Sequence, residues 1–218
     1  PNLKSLRCDQ NSLKSLDLSN NQSLTSINCT YNNLTSLDLS KNTSLANVTN
    51  AMIGNQSVSL KANFDGNMIV IPFENSNLDN DNYVSSTLDD YGDGSGFNFE
   101  SFIAYDVSEI DGGIEYYCNT KLAGSENMKV SVTVSRDFHQ VSFYADSENT
   151  SLIGRAFAND GQSVTAPEIK NPPQCKVLDT WSDTLDNVTG DKSIYANWKD
   201  AHSYSLSSFS NDTATVKC

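Results

Sequence analysis

The feature that most constrains this chain is a stretch near its start that repeats itself after 21 residues. The run NLKSLRCDQNSLKSLDLSNN, from Asn2, is followed by SLTSINCTYNNLTSLDLSKN, from Ser23. Leucines, asparagines and a cysteine return at the same offset, as Cys8 and Cys29 illustrate. A fixed period in the twenties predicts a coil of stacked turns, because one such turn cannot bury its apolar side alone.

Within each copy the apolar spacing predicts a short strand. Successive side chains of a strand point to opposite sides, so every second residue faces the interior of the coil. We expect the inward positions to be Leu6, Cys8, Ile27 and Cys29, and the outward positions to be Arg7, Asp9, Asn28 and Thr30.

Asparagines mark the places where each turn has to bend. An asparagine amide hydrogen-bonds the backbone of a bend and tolerates left-handed backbone conformation. In stacked turns we expect the side chains to form ladders that satisfy backbone groups. The positions concerned are Asn11, Asn32, Asn21 and Asn42.

Cys8 and Cys29 fall on adjacent turns, which leaves three interpretations. They form a metal pair, a disulfide, or a column of small buried thiols. Neighbouring strands lie about 4.8 Å apart, a distance that a disulfide spans, but side chains that point the same way have poor disulfide geometry. We favour the buried column.

The third copy is incomplete. It keeps Leu45 and Val48, but Asn50 stands where the cysteine is expected, and the second half of the pattern is missing. This is typical of a terminal, capping repeat, in which Thr49 takes the outward position of Asn28. Because two and a half turns are few for a stable array, we expect the coil to continue upstream.

Residues 54–136 change to short alternating runs separated by Asp-Gly turns, which predicts an antiparallel β-sandwich. The clearest run places on one face Met128, Val130, Val132 and Val134.

The acidic crossing at 75–96 is expected to carry one helical turn. Its Asp89, Asp90 and Asp93 lie beside glycines and raise a calcium hypothesis. The spacing of an EF-hand loop is not met, so a solvated acidic loop is the favoured interpretation.

Residues 137–200 form a third segment, in which Val141 and Phe143 alternate as in a strand. It contains both tryptophans, Trp181 and Trp198. If exposed, they would stack on sugar rings, but we favour a place in the core, because so small a domain needs large aromatic side chains. Residues 201–218 are interpreted as a tail or the start of a truncated further module.

Composition narrows the partners. The chain has a net charge of −13, a pI near 4.3 and no cluster of basic residues in its sequence. Nucleic acid is therefore disfavoured as a partner. No apolar run approaches the roughly 20 residues of a membrane span. The cysteines outside the repeats form no metal or disulfide framework, and their pairing is left open; they are Cys118, Cys175 and Cys218.

Residues 1–53 resemble the internalin-type leucine-rich repeats of bacterial surface proteins, in the 21-residue variety with a cysteine in the strand. The residues that carry this resemblance, with their partners one copy later, are Leu3, Leu6, Cys8, Asn11, Leu13, Leu16, Leu18 and Asn21. Residues 137–200 are similar to the Listeria–Bacteroides repeat, a small β-grasp-like module. The matching residues are Val141, Phe143, Gly161, Val164, Pro167, Leu178, Trp181, Ile194, Ala196 and Trp198. The pattern departs from that family at Cys175, Lys176 and Thr180.

The middle segment is similar to the immunoglobulin-like spacer that often follows such repeats. The resemblance therefore implies a mainly β chain: the end of a leucine-rich-repeat solenoid (1–53), an immunoglobulin-like β-sandwich (54–136) and a small β-grasp-like module (137–200). It also implies a multidomain bacterial protein that is secreted and displayed at the cell surface.

A non-catalytic adhesion or recognition protein is the function that this organisation implies. Its solenoid face would bind a host protein or glycan, with the β modules as spacers. The tentative binding residues are Arg7, Asp9, Asn28, Thr30, Tyr31 and Thr49. Tyr31 ranks first because aromatic residues dominate interface hot spots. In the alternative interpretation these are only the solvated positions of strands, and the whole chain is a structural stalk.

We expect neither catalytic residues nor a metal or other cofactor. The only histidines are His139 and His202, and no nucleophile, metal-protease or phosphate-loop motif accompanies them. We also expect a monomer.

Overall fold

The computed structural model describes residues 2–45, 51–73, 77–79, 81–91, 93, 95–98, 100–125 and 127–201. The chain is mainly β, which confirms the predicted class. It divides into two compact units, an amino-terminal unit of residues 1–136 and a carboxy-terminal unit of residues 137–218. Within the amino-terminal unit, the division at residue 53 stays a prediction. Residues 202–218, most of the expected tail, lie outside the described part of the chain.

The amino-terminal unit holds eleven of the described strands. They are β1 (Ser5–Arg7), β2 (Ser26–Asn28), β3 (Ala51–Met52), β4 (Gln56–Lys61), β5 (Asn63–Asp65), β6 (Met68–Pro72), β7 (Tyr83–Ser86), β8 (Gly96–Phe97), β9 (Ser101–Ala104), β10 (Ile114–Cys118) and β11 (Met128–Ser135). Short 3-10 helices cover Thr43–Leu45, Thr87–Asp90 and Val107–Glu109. The second of them is the helical turn predicted within the acidic crossing.

The repeated segment forms a small parallel sheet in the order β1-β2-β3. Leu6 lies opposite Ile27, so the first two strands are in register at the 21-residue period of the sequence. Ile27 and Cys29 are buried, and the backbone N–H of Cys8 donates to the carbonyl of Asn28 at 2.8 Å. Cys8 and Cys29 thus directly follow two adjacent strands and lie on neighbouring turns, as predicted.

The third strand departs from that period. Ile27 pairs with Ala51, an offset of 24 residues where the sequence pattern predicts 21. The expected third-strand residues Val48 and Thr49 lie outside the described residues. Because of the shift, buried Ile53 occupies the position that corresponds to Cys29, and the earlier assignment of Asn50 to that position is wrong.

Asn32 joins two successive copies of the repeat through its amide. Its Nδ2 donates to the carbonyls of Cys8 at 2.9 Å and Cys29 at 3.0 Å. Its Oδ1 accepts the backbone N–H of Leu13 at 3.0 Å. Since the side chain is buried, it satisfies backbone groups that water does not reach. The predicted asparagine ladder is therefore present at this corner.

Gln56 takes over this role in the third copy. Its Nε2 donates to the carbonyls of Cys29 and Ile53, each at 2.9 Å, and its Oε1 accepts the N–H of Leu34 at 3.2 Å. Gln56 is also the first residue of β4. One buried amide thus ends the ladder and begins the next sheet.

The second corner of the repeat follows the same scheme. Asn42 is buried, and its Nδ2 donates to the carbonyl of Leu18 at 3.1 Å and to that of Asn21 at 3.0 Å. Left-handed backbone, however, falls on other residues than predicted. It occurs at Gln10 and Tyr31, each immediately before a ladder asparagine.

The remaining strands of the amino-terminal unit form two four-stranded sheets, ordered β4-β11-β10-β7 and β5-β6-β9-β8. Phe102 lies in β9 of the second sheet, and Phe73 directly follows β6 of that sheet. Each ring centroid is 5.5 Å from the ring centroid of Tyr116 in the first sheet. The sheets therefore share an aromatic core. One pair, β4 with β11, is parallel, which corrects the expectation of a purely antiparallel arrangement. The reason is topological, since the two strands are joined by most of the segment and not by a hairpin.

Direct contacts link these sheets to the repeated segment. The Tyr116 hydroxyl donates to the carbonyl of Thr35 at 2.7 Å. The N–H of Leu39 donates to the carbonyl of Thr120 at 2.8 Å. Buried Cys118 lies between these two contacts in sequence. The repeats and the two sheets are therefore packed as one body.

The carboxy-terminal unit contains β12 (Phe138–Tyr144), β13 (Leu152–Asn159), β14 (Lys176–Trp181) and β15 (Lys192–Asp200), in the order β13-β12-β15-β14. The central strands β12 and β15 are parallel. The core consists of Val141, Phe143, Ala158, Val164, Val188 and Ile194. Trp181 packs against it with its ring 5.0 Å from that of Phe143, as the core interpretation predicted. Trp198 is half-buried and donates its Nε1–H to the carbonyl of Ala145 at 2.8 Å.

The cysteines fall into two groups. Cys8, Cys29 and Cys118 are free thiols, whereas Cys175 is disulfide-bonded. Cys218 lies outside the described residues. The favoured interpretation of Cys8 and Cys29 as stacked thiols agrees with this arrangement.

We expect iodoacetamide at pH 8 to label the native chain at Cys8 and to leave Cys29 and Cys118 unmodified. Cys8 is partly exposed, whereas burial raises the pKa of Cys29 and that of Cys118 to about 12, so their reactive thiolate is scarce. Peptide mass spectrometry measures the labelling. In denaturant all three thiols should react alike. Native labelling of Cys29 ahead of Cys8 would contradict the stacked arrangement.

Candidate binding surface

The outer face of the β1–β3 sheet carries the side chains that the repeat turns away from its interior. The register places Arg7 beside Asn28, and Asn28 beside Met52. The side chain of Arg7 is 80% exposed, and Met52 is 54% exposed. A cation and a large apolar side chain thus lie in one row across the sheet.

Arg7 forms an ion pair along its own strand. Its Nε donates to Oδ1 of Asp9 at 2.8 Å. This hydrogen bond and the charge of the guanidinium lower the pKa of Asp9. Nη2 of Arg7 also donates to Oδ2 of Asp9, at 3.5 Å. Surface pairs of this kind add little to stability, but two contacts orient the guanidinium, and its remaining N–H groups point away from Asp9.

Asn28 and Thr30 are occupied with each other. Oδ1 of Asn28 accepts the Thr30 hydroxyl at 2.9 Å and the Thr30 N–H at 3.2 Å. Thr30 is buried, although strand alternation places it on the outer face. The chain bends at the next residue, so the hydroxyl folds back onto Asn28 and offers little to a partner.

Tyr31 is the most exposed large hydrophobic residue in the described part of the chain, at 59%. Its φ of 56° is left-handed, which is uncommon for an aromatic residue. Its N–H donates to the carbonyl of Asn55 at 3.1 Å, which fixes the bend. Gln10 and Asn55 adopt the same conformation at the equivalent points of the neighbouring copies. The stacked bends therefore present the Tyr31 ring to solvent.

Met52 is the site residue that the sequence pattern missed. Strict 21-residue spacing assigned its place to Thr49, which lies outside the described residues. A usable signal was present, because Ile53 and Gln56 keep the three-residue spacing of Cys29 and Asn32.

The acidic crossing offers no support for a metal centre. No group of three or more His, Cys, Asp or Glu side chains is placed to hold a metal ion in the described part of the chain. Asp89 Oδ2 accepts the Ser86 N–H at 2.7 Å and the Tyr83 hydroxyl at 2.8 Å. Asp93 Oδ1 accepts the Ser95 N–H at 2.9 Å. Residues 75, 76, 80, 92 and 94 and the side chain of the candidate ligand Asp90 lie outside the described part of the crossing, so the calcium hypothesis stays untested.

Among the described residues, no helix has the length and apolar character needed to cross a membrane.

Compared with models of protein families and with curated proteins, the chain matches none. Its function is therefore argued from the surface described above.

Proposed function

We propose that this chain belongs to a non-catalytic recognition protein, in which the outer face of the β1–β3 sheet binds a protein partner. In this proposal residues 1–53 are the end of a leucine-rich-repeat solenoid. Residues 54–136 are an immunoglobulin-like spacer, and residues 137–200 are a β-grasp-like module. The observation that carries the proposal is the exposure of two large apolar side chains, Tyr31 and Met52, on neighbouring copies of the repeat.

The composition of this face favours a protein over other partners. Aromatic residues, Met and Arg are enriched in the centres of protein interfaces, and Tyr31, Met52 and Arg7 are of these three types. The face is also preorganised, because the ladder amides of Asn32 and Gln56 hold the bends below it. A rigid surface loses less conformational entropy on binding.

The disulfide at Cys175 supports an exported location at a bacterial cell surface, because disulfides persist in oxidising compartments. The three free thiols do not oppose it, because Cys29 and Cys118 are buried and unreactive.

We expect the Tyr31→Ala variant to lose at least about tenfold in affinity for host surface proteins, because exposed aromatic anchors carry much of an interface's binding energy. The measurement is surface plasmon resonance against a panel of host extracellular-matrix proteins. Tyr91→Ala is the matched control, since Tyr91 is 50% exposed in the same unit but lies in another segment. Equal affinity of Tyr31→Ala and wild type would contradict the proposal.

The alternative function is a structural stalk. The observation that favours it is the packing of the repeats onto the two following sheets, through Tyr116 with Thr35 and Leu39 with Thr120. Such packing suits a stiff spacer. Absence of binding to the whole panel by the wild-type chain would support the stalk and remove the recognition proposal.

A further inference from the structure

A second surface of the amino-terminal unit forms an open groove of about 480 Å³. Two successive repeat copies line it with residues 14–19, 35–38, 40 and 41, which we call its floor. The other lining residues, which we call its rim, are Asn77, Asp79, Asn82 and Lys121. The groove involves neither Tyr31 nor Met52, so it is separate from the proposed protein-binding face.

The repeat makes the floor a regular array of oxygen atoms. Asp17 and Asp38 lie one period apart and accept the same backbone hydrogen bond. Oδ1 of Asp17 accepts the N–H of Ser19 at 2.9 Å, and Oδ1 of Asp38 accepts that of Ser40 at 2.8 Å. Hydrogen bonds from these serines lower the pKa of both aspartates. Fixed carboxylates beside serine hydroxyls are suited to accept and donate hydrogen bonds with ligand hydroxyl groups.

The groove carries a larger share of cations than the chain as a whole. The whole chain has 14 Lys and Arg residues against 27 Asp and Glu, whereas three lysines balance three aspartates in this groove. The lysines are Lys14, Lys41 and Lys121, and the aspartates are Asp17, Asp38 and Asp79. We call it the lysine groove. Lys121 Nζ is 4.0 Å from Oδ2 of Asp38, a loose contact between two exposed groups. Such a contact is weak and leaves the ammonium able to bind another anion.

Backbone contacts hold the rim of the lysine groove. Asn119 Oδ1 accepts the N–H of Lys121 at 2.7 Å. The N–H of Asn119 donates to the carbonyl of Asn82 at 2.7 Å, and Asn82 Nδ2 donates to the carbonyl of Asn77 at 2.7 Å. The polar groups of the rim are therefore positioned before any ligand arrives.

We propose that the lysine groove binds an acidic saccharide of the uronic acid type. Such an acidic saccharide carries one carboxylate on each uronic acid unit, and hydroxyl groups separate the carboxylates. The carboxylates would meet the lysine ammonium groups, and the hydroxyls would donate to Asp17 and Asp38. A ligand of dense negative charge, such as a polyphosphate, fits less well, because the carboxylates of Asp17, Asp38 and Asp79 repel it.

Among the described residues that line the groove, none has an aromatic side chain on which a sugar ring could stack. The affinity rests on charge and hydrogen bonding. It should therefore fall as salt screens the exposed ion pairs.

Isothermal titration calorimetry of the full chain with tetragalacturonate tests this proposal. We expect binding that weakens at least about tenfold in 0.5 M salt and when the carboxylates of the probe are methyl-esterified. The variants Lys14→Gln and Lys121→Gln should each weaken binding about fivefold or more, since a hydrogen bond to a charged group is lost. Lys170→Gln, a change in the carboxy-terminal unit, should bind as the wild type does.

Several results would overturn the proposal. They are absence of binding at millimolar probe, equal binding of the esterified and the acidic probe, unchanged affinity of both lysine variants, or tighter binding of polyphosphate. Tyr31→Ala should leave tetragalacturonate binding unchanged. That variant distinguishes failure of the saccharide site from failure of the protein-binding face.

Discussion

Replacement of Asn32 by alanine should lower the free energy of unfolding of the amino-terminal unit by about 3 to 4 kcal/mol. The change removes the acceptor of the Leu13 N–H, and it removes one of two amide donors from each of the carbonyls of Cys8 and Cys29. These carbonyls keep the amides of Asn11 and Gln56. An unpaired buried N–H costs about 1 to 3 kcal/mol, and each lost hydrogen bond adds about 0.5 to 1.5 kcal/mol. Urea unfolding followed by far-UV circular dichroism and hydrogen exchange of residues 2–45 measures the loss.

Asn11 provides the matched control for this prediction. It is the same residue type one period earlier, but it is exposed and donates only to the carbonyls of Cys8 and Asp9. Because water can replace these bonds, Asn11→Ala should cost less than about 1 kcal/mol. If both variants lose the same free energy of unfolding, the hydrogen bonds of the Asn32 amide do not stabilise the unit as predicted.

The comparison of sequence with structure shows where periodicity is a sufficient guide. The offset between Leu6 and Ile27 appears unchanged in the register of β1 and β2. Here the environment of a residue follows from its neighbours in sequence and from the copy beside it. In the carboxy-terminal unit, the alternation of Val141 and Phe143 predicted a strand, which is present as β12. Ser142 between them is buried too, so the alternation did not predict which residues are buried.

The 21-residue period does not predict the register of the third strand, because the third copy of the repeat differs from the first two. The third strand is displaced by three residues, because Ile53 and Gln56 supply the interior position and the ladder amide three residues later than the period requires. Glutamine is one methylene longer than asparagine, and a search for asparagine alone overlooks it. Met52 was missed as a surface residue for the same reason.

Two further features depend on contacts that no local pattern encodes. The burial of Thr30 follows from the left-handed bend at Tyr31, which a search for asparagine or glycine does not find. The parallel pairing of β4 with β11 joins segments about seventy residues apart. The lysine groove is of this kind too, because Lys121 reaches the floor from a distant part of the chain.

Gln56 shows how the two kinds of information meet. Its position three residues after Ile53 is a local repeat signal, yet its neighbours in β4 pair with β11 of the following sheets. Gln56 therefore provides the last amide of the ladder and is also part of strand β4. Repeats and sheets are expected to lose their structure together, and Asn32→Ala should reduce hydrogen-exchange protection in β11 as well as in β2.

The stability of the carboxy-terminal unit should depend only on substitutions in its own core. Phe143→Ala is expected to lower its free energy of unfolding by about 3 to 5 kcal/mol, since the fully buried ring is lost together with its contact to Trp181. Both tryptophans of the chain, Trp181 and Trp198, lie in this unit, so tryptophan fluorescence reports its unfolding selectively. The fluorescence transition should move to lower urea concentration.

Phe102→Ala is the reciprocal control, because Phe102 is fully buried in the amino-terminal unit. It should reduce hydrogen-exchange protection in residues 101–118 and leave the fluorescence transition where it is in the wild type. The division of contacts between the two units predicts this separation. If either variant shifts both the fluorescence transition and the hydrogen-exchange protection, the two units unfold as one. The structural division would then not correspond to two independently unfolding units.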